Sequence, residues 1–303
     1  MNTPVRILEQ IRAVTQLVNA GAQKPALRIT TNVPDAPLLV TASKFGGVPY
    51  LPAGVDAPLG SDGQPLGMIA QINCAELPEN TLYPESGMLQ FWIAPRPGWG
   101  ADPTAPSSPL NNRVIYYPEL TDPNPHAQSA HIDWEADTFP EYVWPIRRGT
   151  PELALKFASA LHNPLQYLRE PFDELFTQYW NERYPAQPID GYEDAISLGC
   201  ATGGGGVNIV EELDADDIIT QLGGYPETFN DDPRQHPAFA KGYTFNLLTM
   251  GTEYELDPDL DPDVMWGYFG AANWLIAPEK LASRDFSDVY YEWNEHPAKL
   301  RWS

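Results

Sequence analysis

Six carboxylates occupy alternate positions in one short stretch: Glu253, Glu255, Asp257, Asp259, Asp261 and Asp263. Asp257-Pro258-Asp259-Leu260-Asp261 has the oxygen spacing with which a calcium loop begins. An EF-hand needs Gly at the sixth loop position and Glu at the twelfth. Here those residues are Pro262 and Tyr268, so an EF-hand is excluded. Three readings of the stretch remain: a looser calcium cage, a solvated acidic loop, and a docking surface for a basic protein. In the last, the carboxylates accept Arg and Lys, and Pro258 and Pro262 stiffen the loop and lower its ordering cost.

Other residue types suggest chemistry and then lack its companions. Gly203 to Gly206 would suit a phosphate loop, but no Lys-Ser or Lys-Thr follows, and a turn before a strand at Val207–Val210 is the plainer reading. His126, His131 and Asp133 match no helical zinc spacing, and Cys74 and Cys200 have no CxxC partner. His162 reads as a residue at a helix end, where its charge suits the dipole. Cys74 lies in an apolar run and reads as a small core residue, whereas Cys200 beside glycines has no base assigned to it. No nucleophile elbow and no HExxH motif is present. Phe91-Trp92 and Tyr290-Tyr291-Glu292-Trp293 read as strand core, with a stacking platform as the alternative. The sequence therefore assigns no catalytic residue, no metal ligand and no cofactor.

Charge sorts the partners. The 303 residues carry 41 acidic and 18 basic side chains, a net charge of −23. That opposes direct binding of nucleic acid and of anionic membrane surfaces, and it attracts cationic partners. Two cysteines make no disulfide framework, and the start lacks a signal peptide's apolar stretch, so the expected location is the cytoplasm. The 32 prolines exclude a helical bundle or coiled coil.

The secondary structure around these residues is short. Leu8, Ile11, Val14 and Val18 predict an amphipathic helix over residues 1–20, with Thr3 and Pro4 at its start. Strands are expected within 26–40 and at 67–74, 87–94, 113–117, 242–252, 271–277 and 288–293. Thr150-Pro151-Glu152, followed by Leu153, Phe157 and Leu161 at four-residue steps, predicts a helix. A second is expected over 171–184, and a short one after Pro278. Helices mixed with antiparallel strands give an α+β class.

The chain also resembles itself. Lys44-Phe45-Gly46-Gly47-Val48-Pro49 matches Gln221-Leu222-Gly223-Gly224-Tyr225-Pro226, Gly67–Ile72 matches Phe245–Met250, and Gly87–Ala94 matches Gly270–Ala277. The offsets are 177, 178 and 183. Three blocks in one order predict an internal duplication of a Gly-Gly turn, strand, loop and strand. The pseudo-repeats are 41–94 and 221–277, joined by a helical, loop-rich middle, in one compact domain over 1–303. A cleft between them would place Lys44, Gly46, Gly47, Gln71 and Asn73 near a ligand.

The same blocks carry a family resemblance. Ser43 to Pro52, Ile69 to Pro78 and Gly87 to Trp92 resemble the bacterial YwqG-like family, as do Gly223-Gly224-Tyr225-Pro226, Asp232-Pro233-Arg234, Met265-Trp266-Gly267 and Asp285-Phe286-Ser287. The family usually shows Gln-Ile-Asp where this chain has Thr249-Met250-Gly251, and Asp where it has Tyr268. The resemblance implies a duplicated α+β fold and no particular reaction. It also implies a bacterial cytoplasmic setting, in some members beside toxin systems.

The functional expectation is a non-catalytic acidic protein that binds a basic protein partner through residues 253–263, in the manner of an immunity protein neutralising a cationic toxin or effector. The alternative is an enzyme, or a protein binding a small molecule or metal, that uses the cleft between the repeats.

Overall fold

The computed structural model describes residues 3–127, 145–146, 152–163, 172–201, 220–227, 242–252, 264–267 and 270–295. Along the chain these form α1 (Thr3–Ala22), β1 (Lys24–Asn32), β2 (Lys44–Gly46), β3 (Gly67–Asn73), β4 (Met88–Ile93) and β5 (Asn112–Tyr117). There follow β6 (Glu152–His162), α2 (Phe172–Arg183), α3 (Tyr192–Ala201), β7 (Gln221–Gly223), β8 (Phe245–Gly251), β9 (Gly270–Ile276), α4 (Pro278–Ala282) and β10 (Tyr290–Glu295). One antiparallel sheet and four helices among the described residues bear out the α+β class at that level.

The ten described strands join one sheet in the order β10-β9-β8-β7-β1-β6-β2-β3-β4-β5. The central pair β1 and β6 is flanked by two wings, β2 to β5 and β7 to β10. Pairing within each wing, and of the wings to the centre, is antiparallel.

The wings agree residue by residue. Lys44 pairs with Gln71 in one, and Gln221 with Thr249 in the other. Gln71 faces Gln90 across β3–β4, and Thr249 faces Asn273 across β8–β9. The register breaks between Met68 and Ala70 in the first hairpin and between Asn246 and Leu248 in the second. Alternation then sorts each strand between two faces. Leu89, Phe91 and Ile93 of β4 enter the main core together with Ala272, Trp274 and Ile276 of β9. Gln90 and Asn273 point the other way, and both are fully buried.

One prediction is corrected here: residues 152–162 form β6, not a helix. A four-residue step is two turns of a pleat as well as one turn of a helix, so Leu153, Phe157 and Leu161 fit both periods. Leu155, between the first two, belongs only to the strand, and it packs on the main core with Phe157. His162 is accordingly the last residue of a strand, and buried. The strand expected within 26–40 ends at Asn32, and Leu39 beyond it is largely exposed.

The sequence reads as one domain; the contacts gather into two compact units, residues 1–25 with 161–218, and residues 26–160 with 219–303. The first unit packs α1, α2 and α3. Ile7, Ile11, Val14 and Val18 of α1 share a core with Phe172, Phe176 and Trp180 of α2 and Tyr192 of α3. Asp173 and Glu174 begin α2 and Arg183 ends it, each suiting the helix dipole. Asp173 also accepts the Tyr192 N–H at 2.7 Å, which ties α2 to the start of α3. No described helix is long and apolar enough to cross a membrane.

Candidate functional site

Lys44, Gly46, Gly47, Gln71 and Asn73 do come together, around the segment 38–50 of the second unit. Lys44 lies in the buried strand β2 and is 1% exposed. Its Nζ donates to Glu152 Oε2 at 3.2 Å and to the Leu39 carbonyl at 3.4 Å. The other oxygen of Glu152 accepts the Leu38 N–H at 2.7 Å. Burial lowers the pKa of Lys44, while the charge and hydrogen bond of Glu152 act to raise it. The pair thus fastens residues 38 and 39 to β2 and β6.

Gly46 and Gly47 follow with φ of 65° and 72°, the left-handed region that a side chain disfavours. Glu152 lies over this turn: a Cβ on Gly47 would stand 2.5 Å from its Oε2.

Gln71 spends its whole amide on its surroundings. Its Nε2 donates to Val40 O at 2.8 Å and Ala42 O at 2.9 Å, and its Oε1 accepts from Tyr50 N at 2.7 Å and Gln90 Nε2 at 2.9 Å. Gln90 Nε2 also donates to Tyr50 O at 2.6 Å, and its Oε1 accepts from Trp92 Nε1 at 3.2 Å. Asn73 Nδ2 reaches Thr41 O at 3.0 Å, and its Oδ1 accepts the Ala75 N–H, capping the single 3-10 turn Cys74–Glu76. These side chains strap the loop on either side of the Gly-Gly turn to the sheet.

The second wing does the same with different residues. Asn273 accepts the Glu227 N–H at 3.0 Å and donates to the Glu227 carbonyl. Thr249 Oγ1 donates to Asn273 at 2.9 Å. Asn246 donates to Gly223 O at 2.7 Å, and Gln221 to Tyr225 O at 2.8 Å. Gly223 and Gly224 have φ of 74° and 67°. Thr249 and Gly251 lack the amides of Gln71 and Asn73, yet Asn246 and Asn273 supply the bonds that hold this loop. Gln90, Asn246 and Asn273 escape sequence reasoning. Their signal is a lone amide inside an otherwise apolar strand, which an unfilled core does not tolerate.

The other candidates separate. Residues 253–263, Gly203 to Gly206, His131 and Asp133 lie outside the described residues. His126 is exposed, with its backbone N–H on Asn124 Oδ1 at 2.9 Å. Cys74 is buried, and burial pushes its thiol up to about 11. Cys200 lies within α3. Among the described residues no three His, Cys, Asp or Glu side chains gather to hold a metal. Phe91, Trp92, Tyr290 and Tyr291 are buried, and Trp293 donates its indole N–H to Gly98 O at 3.0 Å.

A cavity of about 360 Å³ opens elsewhere in this unit, between the loop before β4, the start of β8, and α4. Leu82, Tyr83, Phe245, Leu281 and Arg284 are among its lining residues.

A two-winged antiparallel sheet whose buried amides strap a Gly-Gly loop in each wing defines the class of this protein. The chain belongs to the family described as Domain of unknown function (DUF1963), whose model matches residues 43–294, in keeping with the YwqG-like resemblance. That match takes in both wings. No curated protein matches the chain.

Proposed function

We propose that this is a non-catalytic binding protein that recognises a basic protein through an acidic surface, with immunity-type neutralisation of a cationic toxin or effector as its concrete form. The observation that carries the reading is the net charge of −23. Charge of that size steers a cationic partner into fast, salt-sensitive association. Exposed carboxylates at Asp35, Asp56, Glu79, Glu85, Glu119 and Asp122 extend the acidic character over the second unit, and none belongs to the ion pairs among the described residues. The polar groups of Gln71 and Gln90 support the non-catalytic side, since their donors and acceptors are committed to the chain's own loop. The reading assigns the contact to Glu253, Glu255, Asp257, Asp259, Asp261 and Asp263, and the setting to the cytoplasm. It assigns no nucleic acid or membrane partner, since the acidic charge opposes both.

We also propose that the two wings are copies of one unit. Matched registers, matched register breaks and matched positive-φ glycine pairs support this. So does the contact of Phe91 with Trp274, which hold corresponding positions and meet as such residues do beside a two-fold axis.

The test is a pull-down from the source cells with tagged protein, washed at low and then high salt. One stoichiometric basic protein should elute at high salt. It should be lost when Asp257, Asp259, Asp261 and Asp263 are changed to Asn. A complex indifferent to salt and to those changes sinks the reading.

A further inference from the structure

We infer that the cavity between the wings binds a small amphipathic monoanion, with its apolar body inside and its anionic group on Arg284. The inference stands apart from the acidic-surface reading and fails or survives without it.

The lining decides the ligand's chemistry. Thr81, Leu82, Tyr83 and Pro84 come from the first wing, and Phe245, Pro278, Leu281, Ala282 and Arg284 from the second. These residues hold one charge, the Arg284 guanidinium, and no carboxylate. In a chain with 41 acidic and 18 basic side chains, a cavity whose described lining holds a cation and no carboxylate is the reverse of the general charge. Arg284 is exposed and belongs to none of the three ion pairs among the described residues, Lys44–Glu152, Arg96–Asp62 and Lys280–Asp285.

The walls set apolar side chains, Leu82, Tyr83, Phe245 and Leu281, beside polar atoms, and two of the rings are held. Tyr83 is buried, and its hydroxyl donates to Leu247 O at 2.7 Å, which fixes the ring against β8. The Phe245 ring meets Tyr83 edge-on at 5.9 Å. Pro84 and Pro278 stiffen the two sides, so little ordering remains for a ligand to impose. The volume of about 360 Å³ lies within the range of small-molecule sites.

The backbone at Arg284 supplies an independent observation. α4 ends in a Schellman arrangement, with Asp285 N–H on Lys280 O at 2.9 Å and Arg284 N–H on Leu281 O at 2.9 Å. Arg284 takes the left-handed position of that cap, with φ of 56°, where Gly is the residue without strain. A strained non-glycine residue that contributes the one charge among the described lining residues points to a use for its side chain.

The experiment is calorimetry on the full chain with octanoate, 1-octanol and inorganic phosphate. Octanoate should bind saturably at one site. Octanol should bind about tenfold more weakly, the worth of a charge-assisted contact. Phosphate should give no heat. Arg284→Gly should bring octanoate down to the level of octanol while leaving the melting temperature unchanged or higher, because it relieves the strained cap. Arg284→Asn, which also tolerates that backbone, guards against a glycine-specific effect. Ala282→Trp, a change at an exposed lining residue, should abolish both amphiphiles. The inference is overturned if octanoate does not bind saturably, if phosphate binds as well as octanoate, or if the Arg284 and Ala282 variants bind as the native chain does.

Discussion

Gln90 and Asn273 hold the same station in their two hairpins. Each lies on the outward face of a fully buried strand, and each donates its amide to the carbonyl of the third residue after a Gly-Gly turn, Tyr50 in one wing and Glu227 in the other. Their neighbours differ, since Gln71 completes the first network and Thr249 with Asn246 the second. The bond to the loop is the shared feature, and the residues around it differ.

Removing either amide should therefore destabilise the protein in the same way. Gln90→Leu leaves the Tyr50 carbonyl and the Trp92 indole without their buried partner, and Asn273→Leu strands both polar groups of Glu227's backbone. Each should cost about 1–3 kcal/mol, read as a lower denaturant midpoint with little change in slope. A variant within a few tenths of native stability would show that the loops are held by something else.

The Lys44–Glu152 pair predicts a pH dependence. Between the lowered pKa of folded Lys44 and 10.5, the unfolded chain holds a proton that the folded chain has lost. Unfolding then takes up a proton, so this group makes stability rise with pH across that window. Glu152→Gln removes the charge that raises this pKa and leaves one oxygen for two donors, the Leu38 N–H and the Lys44 ammonium, and so lowers it further and widens the window. At neutral pH the variant should lose about 3–5 kcal/mol, because buried Lys44 must either hold its charge without a counterion or give up its proton. The deficit should shrink as pH climbs toward 10.5. Denaturant melts at several pH values check this, and a deficit that grows with pH overturns it.

Cys74 should resist thiol reagents in the native state. Its thiol is buried and pushed up to about 11, so little thiolate exists at mildly alkaline pH and what exists is covered. In a Cys200→Ser background, labelling by an aromatic disulfide should be slow and should speed up at the denaturant midpoint. Fast stoichiometric labelling of the folded protein would contradict the buried placement.

Long elements with one clear period were legible from sequence, and elements made by tertiary pairing were not. α1 and α2 carry apolar stripes that only a helix explains, β3, β4 and β8 lie within their predicted spans, and β9 begins one residue before its span. β2 and β7 are three residues each, too short for any periodic signal, and owe their existence to flanking strands. β6 was obscured because its apolar spacing serves two periods, and its place beside β1 at the sheet's centre decides between them. Lys44 and Gln71, expected near one cleft, lie on paired strands beside the Gly-Gly turn. Their use as internal straps was hidden, because the carbonyls they satisfy belong to loops with no sequence signature. Arg284 was equally hidden: nothing in a sequence says that an arginine ends a helix in a left-handed conformation.

Gly47 offers the sharpest separation of strain from packing. Its φ of +72° resembles the +77° of Gly54, so alanine faces a similar backbone penalty at both. Their surroundings differ: a Cβ at Gly54 meets nothing within 4 Å, whereas one at Gly47 meets Glu152 Oε2 at 2.5 Å and Glu152 Cβ at 2.8 Å. Glu152 has little room to yield, since one carboxylate oxygen accepts the Leu38 N–H and the other the Lys44 ammonium. Gly54→Ala should therefore cost about 1 kcal/mol, the left-handed penalty alone. Gly47→Ala should cost about 3 kcal/mol or more, because displacing Glu152 also loosens a buried ion pair. Glu152→Gln should have a smaller effect in the Gly47→Ala background than alone, since the contact it breaks is already disturbed. Equal costs at the two glycines, or full additivity of the Gly47 and Glu152 changes, would mean that the glutamate does not rest on the turn.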